Sequence, residues 1–166
     1  MMELPGGVQL IGVAVPSFLE GPRIFYRPSR YEAGHYEYHR WVRPLSEAIA
    51  QEFQQYVRAT GRLAWVGGPE ESIVPGACRV RLQVLDLNEV DHENGEWTAR
   101  VTLCVRLQSP DDRPAREYRI VEESRIQPRN PKGFVEAVNR SLDQVMVRIV
   151  DIIVDFIKAS RRPGIS

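Results

Sequence analysis

The most constraining feature of the sequence is a pair of alternating segments joined by a polar turn. Apolar and polar residues alternate through 78–84 and again through 97–107, and residues 91–95 between them read Asp-His-Glu-Asn-Gly. A period of two is typical of strands with one buried face, and the turn predicts that the two strands pair as an antiparallel hairpin. The apolar face of this hairpin must be covered by another layer, so a layered fold is predicted.

Two segments with helical periodicity, one before and one after the hairpin, are predicted to supply that covering layer. A first amphipathic helix is predicted over about 44–60, with Pro44 in its first turn and Gly61 as a left-handed stop. A second is predicted over about 131–159, because Asn130 followed by a proline is a strong helix start.

The second helix carries few polar residues over its last four turns. Its only polar stripe there consists of Arg148, Asp151, Asp155 and Lys158. Such a narrow stripe predicts more apolar surface than one sheet contact can cover, and a second subunit is the expected cover.

Shorter strands are predicted at 8–15, 23–27, 31–40, 63–66 and 116–126, with a loop at 16–22. The predicted fold class is α/β, a single layered domain in which a mixed β-sheet is covered by the two main amphipathic helices, about 44–60 and 131–159. The domain is expected to span 8–160, between a disordered N-terminal remnant at 1–7 and a flexible tail at 161–166.

Charge gives the chain no preference for a charged partner. Acidic and basic residues number 22 each, so the net charge is zero and any charged partner must be met by a local patch. We expect no catalytic residue, metal or cofactor, because the sequence contains no nucleophile elbow and no phosphate-binding glycine loop. Cys78 and Cys104 fall on opposite faces of their strands, which predicts two free thiols.

Two alternative functions follow from the residues between 23 and 43. If that region is extended, His35, Glu37 and His39 share one face, and such groups could ligate the metal ion of an enzyme. The arginines and tyrosines of segment 23–43 could instead stack bases and pair phosphates in a nucleic-acid module, although the neutral net charge argues against nucleic acid. Packing residues of half-exposed strands explain both patterns more simply.

Three short motifs give the sequence a family resemblance. They read Val-Ala-Val-Pro-Ser-Phe-Leu at 13–19, Arg-Ile-Phe-Tyr-Arg at 23–27 and His-Arg-Trp-Val-Arg-Pro-Leu at 39–45. In this order, before a long β region and a closing helix, they resemble the ABC-type transport auxiliary lipoprotein components, the family of paraquat-inducible protein C. The resemblance extends from about residue 8 to about residue 159.

The resemblance implies a non-catalytic periplasmic subunit of an ABC/MCE-type lipid transport system. It implies ABC transporter subunits and an MCE-type lipid transport protein as partners, a homo-oligomer, no nucleic acid, and an outer membrane reached through a lipid anchor. No cysteine precedes Cys78, so either the signal and lipidated cysteine are missing from these residues or the chain is an unanchored relative. Residues expected to contact a partner or lipid are Phe18, Leu19, Arg27, Trp41 and Arg43.

Overall fold

The centre of the protein is a five-stranded mixed sheet. The computed structural model describes residues 6–26, 34–111 and 113–162, with the backbone alone for residues 25–26 and 34–40. The strands are β1 (Val8–Ala14), β2 (Arg23–Tyr26), β3 (Gly34–Arg40), β4 (Val66–Gly67), β5 (Cys78–Asp91), β6 (Trp97–Gln108) and β7 (Arg116–Arg125), and the helices are α1 (Ser17–Glu20), α2 (Leu45–Thr60) and α3 (Pro131–Arg161).

The sheet has the order β4-β1-β5-β6-β7. Strand β1 is parallel to both β4 and β5, whereas β5, β6 and β7 form an antiparallel meander. The predicted hairpin is β5–β6, with Val80 opposite Leu107 and Leu82 opposite Val105. The predicted α/β class with a mixed sheet is therefore confirmed.

The two long helices lie on one face of this sheet. Helix α3 packs on β6, β7 and the neighbouring part of β5, helix α2 packs on β1 and β4, and the two helices also contact each other. Alternate residues of β6 point into this layer and are fully buried: Ala99, Val101, Leu103, Val105 and Leu107. The opposite face of β5, β6 and β7 carries many exposed polar side chains and is left open over much of its area.

Both predicted helix boundaries have the expected chemistry. Gly61 follows α2 with a φ of 61°, a left-handed conformation that favours glycine. At the start of α3, the side chain of Asn130 accepts a hydrogen bond of 2.8 Å from the backbone N–H of Gly133, which satisfies one of the free donors of the first turn.

Three features differ from the sequence predictions. The predicted loop at 16–22 contains the short helix α1, in which Leu19 is buried. Strands β2 and β3 pair with each other as a separate two-stranded sheet. The predicted uncovered face of α3 is largely buried within the monomer, since Val150 and Val154 are 1% and 2% exposed. The apolar width of α3 therefore does not by itself require a second subunit.

The outer edge of β7 is occupied by side chains of α3. Arg140 donates a hydrogen bond of 2.6 Å to the carbonyl oxygen of Arg125, and Arg148 donates one of 3.3 Å to the carbonyl oxygen of Val121. Arg148 also pairs with the carboxylate of Glu122 at 2.7 Å. These contacts occupy backbone acceptors on the outer side of β7, the last strand of the sheet among the described residues.

A close approach between the loop before α3 and its first turn yields a stability prediction. A Cβ atom added at Gly133 would lie 1.7 Å from the backbone oxygen of Pro128. We expect Gly133→Ala to destabilise the protein by about 1–3 kcal/mol, because the clash with backbone outweighs the better helix propensity of alanine. Thermal and urea unfolding would measure the change.

Gly12 in β1 provides the matched control for that prediction. A Cβ atom at Gly12 would meet nothing within 4 Å, so Gly12→Ala should leave the unfolding temperature unchanged or raise it slightly. A Gly133→Ala protein as stable as the Gly12→Ala protein would contradict the close approach.

Candidate functional site

A concave groove lies between the start of α2 and the first half of α3. Its volume is about 520 Å³, within the range of ligand pockets. The apolar lining consists of Trp41, Val42, Leu45, Ala48, Ile49, Val135, Val138, Leu142 and Met146, and the polar lining of Arg43, Glu52, Asn139 and Asp143. We call this surface the α2–α3 groove.

The segment before α2 forms one end of this groove. The backbone N–H of Trp41 donates a hydrogen bond of 2.7 Å to the carbonyl oxygen of Pro22, which ties the end of β3 to the start of β2. The Arg43 guanidinium donates to the side-chain oxygen of Gln51 in α2. Between them, Val42 is 99% exposed, so an aliphatic side chain projects into solvent at the mouth of an apolar groove.

The residues predicted as partner or lipid contacts do not all share this surface. Trp41 and Arg43 line the α2–α3 groove. Phe18 is 43% exposed on α1, which packs against α2, whereas Leu19 is 2% exposed and belongs to the core. A buried Leu19 side chain is not available to a partner in this structure. Arg27 lies outside the described residues.

Most of the groove is lined by residues that were not predicted as contacts from the sequence. Val135, Val138, Leu142 and Met146 of α3 line it, and their spacing of three or four residues marks one helix face. That spacing was visible in the sequence, but it could not show which part of the apolar face α2 leaves uncovered. Val42 carried no periodic signal because it lies between a strand and a helix.

Apart from the groove, a cluster of polar side chains lies on the open sheet face at the turn end of the β5–β6 hairpin. The Nε2 atom of His92 lies 2.9 Å from Oγ1 of Thr98 and 3.2 Å from Oε2 of Glu123, and Thr98 donates to the same carboxylate oxygen at 2.9 Å. A nucleophilic relay would use one imidazole nitrogen for the hydroxyl and the other for the carboxylate. Here a single nitrogen faces both groups, so the cluster does not form such a relay.

Arg100 completes the surroundings of Glu123. Its Nε donates to Oε1 of the carboxylate at 2.5 Å. Partial burial by itself raises the pKa of Glu123, but hydrogen bonds from Arg100 and Thr98, together with the charge of Arg100, outweigh burial and lower the pKa. The carboxylate is thus held in its charged form within a network of surface hydrogen bonds.

The two cysteines are free thiols, as predicted from their positions on opposite faces. Cys78 is buried among core residues, and burial raises its pKa to about 12. Cys104 is half-buried on the open face, and its pKa is also raised, by burial and by the neighbouring Glu117. Neither environment generates the thiolate that reactive cysteines require.

The three residues of the predicted metal site lie where the structure describes only the backbone. His35, Glu37 and His39 belong to β3, whose side chains fall outside the description. Elsewhere in the described residues no group of three histidine, cysteine, aspartate or glutamate side chains converges on a common point. The helices within those residues also include none that is both long and apolar enough to span a bilayer.

Most of the chain matches one known protein family. The family model for the ABC-type transport auxiliary lipoprotein component matches residues 5–150. The chain belongs to this family. The match confirms the resemblance carried by the three N-terminal motifs, and it assigns the chain to the auxiliary lipoprotein components of ABC-type transport.

Solved structures share the fold of this auxiliary lipoprotein at low sequence identity. A Xanthomonas campestris protein assigned to DUF330 has a TM-score of 0.79 at 14% identity, covering 92% of this chain and 86% of its own. An uncharacterised protein has a TM-score of 0.74 at 14% identity, with coverages of 90% and 93%. The hypothetical protein CT253 from Chlamydia trachomatis has a TM-score of 0.61 at 11% identity, with coverages of 93% and 98%. No curated protein matches the chain.

The lowered pKa of Glu123 predicts how acid weakens the fold of this auxiliary lipoprotein. A carboxylate with a lowered folded-state pKa stabilises the protein above the ordinary glutamate value of 4.5, and that stabilisation is lost as the pH falls through the lower value. We expect Glu123→Gln to reduce stability by about 1 kcal/mol at pH 7. The reduction in unfolding free energy caused by the substitution should be smaller at pH 3, because protonation of Glu123 removes its charge in the wild type as well. Urea unfolding at both pH values would measure the difference.

Glu93 is the control, since it is exposed in the turn of the same hairpin. Glu93→Gln should change stability by less than about 0.5 kcal/mol at either pH. An equal loss at pH 7 and pH 3 for Glu123→Gln would show that the charge of Glu123 is not what stabilises the cluster.

Proposed function

We propose that this auxiliary lipoprotein is a non-catalytic binding subunit of an ABC-type lipid transport system. In this proposal it works in the periplasm, anchored to the outer membrane through an N-terminal lipid, and docks an MCE-type lipid transport protein together with the ABC transporter subunits. Family membership over residues 5–150 supports the assignment to transport. The observation that carries the docking role is the α2–α3 groove with Val42 at its mouth.

The composition of the groove fits a protein partner better than a free acyl chain. Its apolar floor is bordered by charged residues, as in protein interfaces with a dry centre and a polar rim. Trp41 and Arg43 are of the residue types that contribute most binding energy in such interfaces. An acyl chain is bound more favourably in an enclosed apolar cavity than in an open groove. The fully exposed Val42 side chain, in contrast, can insert into a pocket on a protein partner.

The arrangement of polar side chains supports a binding role. The His92–Glu123 cluster lacks the geometry of a nucleophilic relay. Ser141, a buried serine of α3, donates a hydrogen bond to the Ala99 carbonyl oxygen and accepts one from the Ser124 hydroxyl, and so cross-links helix and sheet. These polar groups of the described residues stabilise the fold, which is compatible with the binding role proposed here.

Self-association is the second part of the proposal. Because α3 is largely covered within the monomer, a homo-oligomer would use exposed apolar residues away from the groove, such as Phe18. Light scattering coupled to size exclusion would measure the subunit number. A monomer at every concentration would contradict this part alone.

Site-specific photo-crosslinking at position 42 tests the docking role. We expect a photoreactive amino acid at Val42, in the full-length protein in its native host, to give an adduct containing an MCE-type protein or an ABC transporter subunit identified by mass spectrometry. The matched control is the same photoreactive residue at Glu93, which is exposed in the β5–β6 turn and should give no such adduct.

A substitution at the same position gives an independent measure. Val42→Asp should leave the unfolding free energy within about 0.5 kcal/mol, because the side chain is fully exposed, and should abolish co-purification of the transport partner. Unchanged co-purification, or adducts formed with a second copy of the chain only, would show that the groove does not dock the transporter.

A further inference from the structure

The open face of the sheet carries a cluster of arginines on the side of the molecule away from the helices. Arg79 and Arg81 of β5 and Arg106 of β6 line a shallow pocket of about 300 Å³ together with Ile11, Ile73, Val80 and Gln108. We call the three guanidinium groups the arginine patch. The patch is local, because the chain as a whole has no net charge.

The register of the strands places like charges side by side. Arg81 lies directly opposite Arg106, and Arg79 is two residues away on the same strand face. Like charges directly opposite each other in a sheet are destabilising. Arg106 pairs with Glu117 of β7 at 2.9 Å, whereas Arg79 and Arg81 have no carboxylate partner among the described residues. Among the described residues, the three guanidinium groups of the patch are therefore paired with a single carboxylate, that of Glu117.

Apolar residues border these charges. A β-bulge between Leu10 and Gly12 leaves Ile11 as the extra residue of β1, and Ile11 lines the pocket beside the arginines. Ile73, from the loop between β4 and β5, is 62% exposed. The pocket thus combines guanidinium groups with accessible aliphatic side chains.

A buried glutamine holds the loop that carries Ile73. Gln9 of β1 is 1% exposed. Its side-chain nitrogen donates to the carbonyl oxygens of Glu71 and Ser72 at 3.1 and 3.0 Å, and its oxygen accepts from the N–H of Val74 at 2.9 Å. These bonds fix the backbone on both sides of Ile73, so the exposed isoleucine is held in place before any ligand arrives.

From these observations we propose that the arginine patch binds the phosphate head group of an anionic phospholipid. The guanidinium forks match phosphate oxygens geometrically, and a phosphate between Arg81 and Arg106 would relieve their repulsion. Ile11 and Ile73 would contact the apolar part of the same molecule. This inference rests on the proposed lipid transport role and adds a chemical class of head group to it.

Charge and shape favour a lipid over two other anions. An acidic protein segment distributes single charges along its length, whereas this patch gathers three guanidinium groups in one small pocket. Single-stranded nucleic acid is held by aromatic stacking as well as by charge, and the described lining of the pocket contains no aromatic ring. In a phospholipid, the compact phosphate can pair with the arginines while the attached apolar part contacts Ile11 and Ile73.

Vesicle co-sedimentation tests the inference with residues 1–166 produced without lipidation. We expect binding to vesicles of phosphatidylcholine mixed with phosphatidylglycerol, weakening as salt is raised, and little binding to phosphatidylcholine alone. Replacing both Arg79 and Arg81 by glutamine should weaken binding about 25-fold, at about fivefold for each arginine near an anionic surface. The control, Arg58→Gln with Lys158→Gln, removes the same charge from exposed positions on the helix layer and should weaken binding far less.

A further substitution distinguishes a lipid from a free phosphate. Ile73→Ser should weaken vesicle binding and leave the affinity for glycerol phosphate, measured by calorimetry, unchanged. Equal vesicle binding by the wild type and the Arg79→Gln/Arg81→Gln protein would overturn the inference, as would a wild type that binds only glycerol phosphate or only an acidic peptide. None of these readouts involves Val42, so failure here leaves the docking role intact, and failure of the crosslink leaves vesicle binding measurable.

Discussion

The burial of one face of α3 against the β5–β6–β7 meander is the interaction on which the rest of the structure depends. Val145, Ile149 and Ile153 of the helix are fully buried, as are the inward residues of β6. Burial of a large aliphatic side chain contributes roughly 1.5–3 kcal/mol, so this contact dominates the core. Both long helices lie on the same face of the sheet, so the other face is left open. Helix α2 contacts α3 over only a small part of its length.

The two candidate surfaces arise from this asymmetry. The α2–α3 groove forms where two helices of unequal length share one side of the sheet, and it has an apolar floor with a charged rim. The arginine patch lies on the side that the helices leave uncovered. One surface is suited to a protein and the other to an anionic amphiphile, and the sheet separates them, so both could be occupied at once.

The sequence predicted the regular elements well where local chemistry determines them. Alternation located β5 and β6, and Asn130 and Gly61 marked the helix boundaries, because caps and pleats depend on neighbours in the chain. It did not predict the α2–α3 groove, since Trp41 and Leu142 come to line one surface only after folding. Nor did it single out Arg79, Arg81 and Arg106, which look like ordinary exposed strand residues until the β5–β6 register places them together. Nor could periodicity show that α3 is largely buried within the monomer, because that burial depends on how the helix packs against the sheet and α2.

The hydrogen bonds from Arg140 and Arg148 to the outer carbonyl groups of β7 bear on how this chain behaves when many copies are crowded together. A lipid tether would concentrate copies in two dimensions, where unpaired strand edges promote runaway polymerisation. An edge already engaged by guanidinium groups offers little template for such growth. Backbone pairing between copies through the β7 edge is therefore disfavoured.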